Sequence, residues 1–132
     1  FIIACFLLSR ISKMSEYLIY HNPRCTKSRE SLKVLEESGA SFDVKLYLEE
    51  GLSVEEIWKL KKDLGLEILD FMRIKDPEFK SFGLTKESSE SELVHALKES
   101  PKLLERPIII SINSKAVVGR PVEKTKSFLG IS

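Results

Sequence analysis

The stretch Tyr20-His21-Asn22-Pro23-Arg24-Cys25-Thr26-Lys27-Ser28-Arg29 decides how the rest of this sequence is read. Before it, Tyr17 to Tyr20 (YLIY) has the make-up of a short buried strand. After it, Lys27 to Ser38 places Leu32 and Leu35 on one helical face, and Gly39 closes the helix. Cys25 therefore falls where a strand gives way to a helix. There the unpaired backbone N–H groups and the positive end of the helix dipole favour negative charge, which lowers a thiol pKa and holds an oxyanion beside the sulfur. Arg24, Lys27 and Arg29 add positive charge, and Thr26 and Ser28 offer hydroxyl donors. A lone cysteine is otherwise a small buried hydrophobe. Its position and basic neighbours make this one a candidate nucleophile.

Working outward, Ser41 to Leu48 alternates Phe42, Val44, Leu46 and Leu48 on one face, the period of a half-buried strand, and so completes a βαβ unit. Ser53 followed by Glu56 forms a capping box ahead of Val54, Ile57, Trp58 and Leu64, which predicts a helix over 53–64. Leu66 to Met72 reads as a second short helix. A polar break, Lys86 to Glu92, contains another capping box, Ser89 with Glu92, ahead of Leu93, Val94, Ala96 and Leu97. Pro101 opens one more helical turn. Pro107 then introduces the β-branched run IIISI, bounded by Asn113 and Ser114 before KAVVG, which predicts a hairpin. Pro121 suits the first position of a terminal helix with Val122 and Leu129 on a common face. The order βαβ, helical insert, ββα is that of an α/β, thioredoxin-like domain: about four strands in a mixed sheet flanked by helices.

Composition agrees with one soluble globular domain: 132 residues, 42% hydrophobic and 31% charged. With 21 basic and 20 acidic residues, the formal charge is +1, which leaves no net electrostatic case for nucleic acid or an anionic membrane. Any anion site must be local. Residues 1–13, FIIACFLLSRISK, differ from the rest and read as an apolar extension outside the native domain, which is expected over 14–132, starting at Met14. The charges Arg10 and Lys13 follow the apolar run instead of preceding it, unlike a secretory signal. Phe1 to Leu8 is far short of the roughly 20 residues that span a bilayer. Without Cys5 the domain keeps Cys25 alone, which excludes an internal disulfide and fits a reducing cytoplasm. Ser28 stands where a CxxC motif would have its second cysteine, so a resolving thiol must come from another molecule. One cysteine and two distant histidines lack metal-ligand spacing, and no bound metal is expected. His95, within LVHAL, reads as a core-edge histidine.

Three motifs, HNPRCTKSRE, the Arg-Pro of LLERPIIIS and the Gly-Arg-Pro of VVGRP, resemble those of the arsenate reductase family that works with glutathione and glutaredoxin. The match runs from Met14 to the C-terminus and is closest to the small bacterial arsenate-reductase-like branch. The resemblance implies that Cys25 is the nucleophile forming a thiol-arsenate adduct and that His21 favours its thiolate. It implies that Arg73, in DFMRIKD, together with Arg106 and Arg120 handles the anion, with Thr26, Lys27 and Ser28 nearby. Guanidinium forks bind tetrahedral oxyanions bidentately without losing charge, which lysine does less well. Pro107 matches the cis proline that faces the cysteine in thioredoxin-like folds. The resemblance further implies reduction of arsenate to arsenite, glutathione as reducing co-substrate, glutaredoxin as partner, and no bound cofactor. Thr26 departs from the glycine that well-studied arsenate reductases carry after the cysteine, which narrows backbone freedom beside the sulfur. Two alternatives remain at this point. One is a thiol-dependent reductase of another substrate; the other is a redox-responsive regulator related to the Spx-like proteins that bind RNA polymerase.

Overall fold

The computed structural model describes residues 15–131. The expected extension over residues 1–13 and the start at Met14 lie outside them. Four strands, β1 (Tyr17–Tyr20), β2 (Phe42–Lys45), β3 (Ile108–Ser111) and β4 (Ala116–Val118), form one sheet in the order β2-β1-β3-β4. β1 and β2 are parallel and joined by helix α1 (Thr26–Ser38), while β3 runs antiparallel to both β1 and β4. The mixed four-stranded sheet and the βαβ and ββα halves are as the sequence predicts. Gly39 ends α1 with φ 78°, in the left-handed region that glycine enters without a Cβ penalty.

Alternation along β1 and β3 gives the sheet two buried faces. Ile19 and Ile109 point to one side, where they meet Leu35 of α1 with Leu32, Phe128 and Leu129 packed around them. Tyr20 and Ile108 point to the other, into the larger core built with the insert around Ile57, Leu60, Phe71, Leu97, Leu103 and Leu104. The insert comprises α2 (Tyr47–Glu50), α3 (Val54–Leu64), a 3₁₀ turn (Ile68–Phe71), α4 (Pro77–Ser81), α5 (Glu90–Glu99) and a second 3₁₀ turn (Pro101–Leu103). The chain ends in α6 (Val122–Leu129). Both predicted capping boxes, Ser53 with Glu56 and Ser89 with Glu92, are formed with reciprocal bonds. Among the described residues no helix is long and apolar enough to cross a membrane.

Several local expectations give way to tertiary packing. The strand read over Ser41 to Leu48 stops at Lys45, and Tyr47 begins α2. Its supposed inner face is largely open, with Val44 40% and Leu48 44% exposed, while Tyr47 is 1% exposed. The period-two pattern failed because β2 is an edge strand and the chain turns under the core directly after it. The helix expected over Leu66 to Met72 is a single 3₁₀ turn. The α4 turn was not anticipated; Asp76 caps it by accepting from Glu78 N at 2.9 Å. Pro121 is the residue before α6 and not its first helical one, and Thr125, not Val122 or Leu129, is its fully buried residue. His95 lies on the exposed side of α5, so it does not edge the core.

Thr125 explains the glycine of the VVGRP motif. Its Oγ1 lies 2.7 Å from Ser31 Oγ, joining α6 to α1 through a buried hydroxyl pair, and Gly119 passes directly over it. A Cβ on Gly119 would sit 2.3 Å from Thr125 Oγ1 and 2.8 Å from Ser31 Oγ. Gly119→Ala is therefore expected to destabilise the fold by about 1–3 kcal/mol, read as a lower urea midpoint at unchanged slope. An unchanged midpoint would refute this close approach.

Candidate active site

The sheet register assembles the site. Lys45, Tyr20, Ile108 and Val118 lie side by side across the four strands. Just past this row, at the same end of the sheet, come Tyr47 from β2, the loop from His21 to Cys25 from β1, Arg106 ahead of β3 and Arg120 after β4. Gly119 N donates to Pro107 O at 2.9 Å, and an Arg120 Nη donates to Arg106 O at 3.4 Å. Residues fourteen or more positions apart in sequence are thus held at one edge by strand pairing. The Arg106–Pro107 bond is cis, as expected, and so is Arg120–Pro121, which was not anticipated. Arg73 arrives from the insert: Met72 bridges Leu104, and Arg73 N donates to Leu103 O at 2.7 Å, which docks its segment against the chain leading into Arg106.

Cys25 is the residue immediately before α1, in extended backbone, and is partly exposed. Burial pushes its thiol up, but the backbone N–H of Ser28, the Arg106 guanidinium and the backbone N–H of Lys27 outweigh it and hold the thiol below its ordinary range. The helix-terminus effect read from sequence is present, and Arg106 is the charge that completes it.

His21 and Ser28 do something different from what their residue types imply. Ser28 is fully buried; its Oγ lies 2.7 Å from His21 Nδ1 and accepts from Asn22 N at 3.0 Å. The hydroxyl is consumed in fixing the loop, so the expectation that it donates to an oxyanion is corrected: Ser28 addresses the sulfur through its main chain. His21 is 5% exposed and braces the same loop. Burial and the charge of Arg29 push its imidazole down against the opposing pull of Glu36, which favours the neutral ring. Among the described residues no hydrogen bond joins His21 to Cys25. Thr26 Oγ1 accepts from an Arg29 Nη at 3.2 Å, and Lys27 Nζ lies 3.7 Å from Glu30, so both are turned along the helix surface.

The three arginines are brought together. Arg73, Arg106 and Arg120 line one open cleft of about 450 Å³, with Asp76 and Glu105 on its walls. Arg73 is steadied by Asp76 at 3.1 Å. Arg106 is mostly buried, and its Nε is the one fully buried side-chain polar atom without a hydrogen-bond partner among the described residues. A buried, unpaired donor on a permanent charge is unfavourable for folding. This guanidinium also acts on the Cys25 thiol. Among the described residues no cluster of three metal-ligating side chains exists.

Sequence reasoning missed Tyr47, whose hydroxyl titration is felt from this site. Burial pushes it up to about 12, with Arg106 and Arg73 pulling down and Cys25 and Glu105 pushing up. The period-two reading put Tyr47 on the face opposite Phe42, Val44, Leu46 and Leu48, so nothing in the sequence pattern marked it.

Residues 20–128 match the ArsC family. The chain is 42% identical over 114 residues to a protein of Haemophilus influenzae named "Arsenate reductase", covering 85% of this chain and 97% of that one. It is 43% identical over 114 residues to "Uncharacterized protein YfgD" of Escherichia coli K12, covering 85% and 95%. Among solved structures, an arsenate reductase from Vibrio cholerae superposes with a TM-score of 0.80 at 42% identity, covering 89% of this chain and 98% of that one.

Alkylation of Cys25 followed against pH is expected to titrate below an ordinary thiol. Arg106→Ala should raise the midpoint, because it removes a charge acting on the sulfur, and Arg73→Ala should leave it much nearer wild type. Identical midpoints for wild type and Arg106→Ala would remove Arg106 from the account of the thiolate.

Proposed function

Since the chain belongs to the ArsC family, we propose that it reduces arsenate to arsenite, with Cys25 as nucleophile and Arg73, Arg106 and Arg120 as the anion clamp. One observation carries this reading: Arg106 both stabilises the Cys25 thiolate and lines the cleft that Arg73 and Arg120 share. An oxyanion bridging these guanidinium groups would present its central atom to the sulfur, and the N–H groups at the start of α1 would receive displaced negative charge.

In the first step the Cys25 thiolate attacks arsenic(V), a sulfur–arsenic bond forms, and one arsenate oxygen leaves as water after protonation. In the second, glutathione attacks the Cys25 sulfur; the sulfur–arsenic pair stays with arsenic, which becomes arsenite, and Cys25 is left as a mixed disulfide. Glutaredoxin then supplies a thiol that restores Cys25. Two electrons enter from outside the protein. Ser28 supports this external route, because no second thiol stands near the nucleophile among the described residues. His21 acts through Ser28, by holding the loop that aims its N–H groups at the sulfur. No metal or bound cofactor enters the scheme, and the glutathione-rich cytoplasm is its proposed setting.

Arsenate-dependent NADPH oxidation, coupled through glutathione, glutathione reductase and glutaredoxin, tests the reading. Turnover is expected to require every component and to vanish in Cys25→Ser. Arg120→Ala should lower kcat/KM by roughly 10- to 100-fold, the loss of one or two charge-assisted bonds. A flat trace from folded wild-type protein with a titratable thiol would refute arsenate as substrate.

A further inference from the structure

Two tyrosines stand together beneath the active-site end of the sheet, and they are not equivalent. Tyr20 and Tyr47 pack with ring centroids 6.4 Å apart. The Tyr20 hydroxyl donates to Glu56 Oε2 at 2.8 Å, where Lys45 also pairs with the carboxylate, so it belongs to the fold. No hydrogen bond among the described residues uses the Tyr47 hydroxyl. Tyr47 is only 1% exposed, yet its oxygen is not among the fully sealed, partnerless polar atoms, so its small remaining exposure includes the hydroxyl.

The register places Tyr47 at the active-site end of the sheet. Tyr47 lies two residues beyond Lys45, as Arg106 lies two before Ile108 and Arg120 two beyond Val118, all past the same row of the sheet. Its α2 turn packs against the 3₁₀ turn Pro101–Leu103, whose Leu103 carbonyl holds Arg73. Packing alone would be served as well by phenylalanine, which fills the same volume without an unpaired hydroxyl to desolvate. The oxygen is therefore unexplained by the core and lies at the end of the sheet that carries the thiol and the arginines.

We propose that Tyr47 is a further substrate-contacting residue, its hydroxyl donating a hydrogen bond to an oxygen of the oxyanion held beside Cys25. The inference rests on the proposed oxyanion-reducing function and adds to it a neutral, directional donor opposite the charged ones. The phenol stays protonated throughout the working range, because burial holds its pKa far above neutrality. It contributes no charge, so it discriminates by geometry where the arginines attract by field.

The test measures protection of Cys25 from iodoacetamide by arsenate, without any reductant, in wild type, Tyr47→Phe and Tyr20→Phe. Wild type and Tyr20→Phe should be protected at similar arsenate concentrations, while Tyr47→Phe should need about five- to tenfold more, the loss of one hydrogen bond. Equal protection in wild type and Tyr47→Phe would overturn the Tyr47 assignment and leave the oxyanion site standing. Absence of protection in wild type would overturn both. Circular dichroism should find Tyr47→Phe folded; a variant that fails to fold would make the hydroxyl structural and overturn the assignment as well.

Discussion

Everything at the active site depends on Ile108 facing Tyr20 on one side and Val118 on the other. That pairing places the cysteine loop, the two Arg-Pro motifs and α2 at one edge of the sheet. A slip of a single residue would exchange the two faces of β3, sending Ile109 toward the insert and Ile108 toward α1. Both are fully buried, and the two cores they enter have different shapes, so the register is strongly specified by packing. The chemistry inherits its geometry from two isoleucines that take no part in it.

Electrostatics then divides the labour. The start of α1 supplies fixed N–H groups, which with Arg106 hold the Cys25 thiol below its ordinary range against the opposing effect of burial. Arg106 acts on the sulfur and lines the cleft, whereas Arg73 and Arg120 line the cleft only. In the proposed reaction, attraction of the anion and activation of the nucleophile would be coupled through this one guanidinium. The buried His21–Ser28 pair keeps the loop rigid enough for this, since its bonds hold Asn22 and Ser28 together across the turn.

Much of this was legible in the residues. The strand–loop–helix around Cys25, both capping boxes, the hairpin opened by Pro107 and the mixed sheet follow from periodicity and local stereochemistry, which act over a few residues. The gathering of Arg73, Arg106 and Arg120 came from a family resemblance, because no local rule relates residues joined only by sheet register and by the insert's bridge at Met72. What was misread depended on context of the same kind. Tyr47 looked like the solvent side of a strand until the chain turned under the core, and Ser28 looked like a free donor until His21 was found against it.

The hydroxyl pair of Ser31 and Thr125 beneath Gly119 sets a limit on how such a chain can drift. Three positions from three segments share one small volume, and the glycine's hydrogens fill what the two hydroxyls leave. Enlarging any one of them requires shrinking another in the same step. The three should therefore change together or not at all, so the freedom of α1, the helix that Cys25 precedes, is bounded by residues almost a hundred positions downstream.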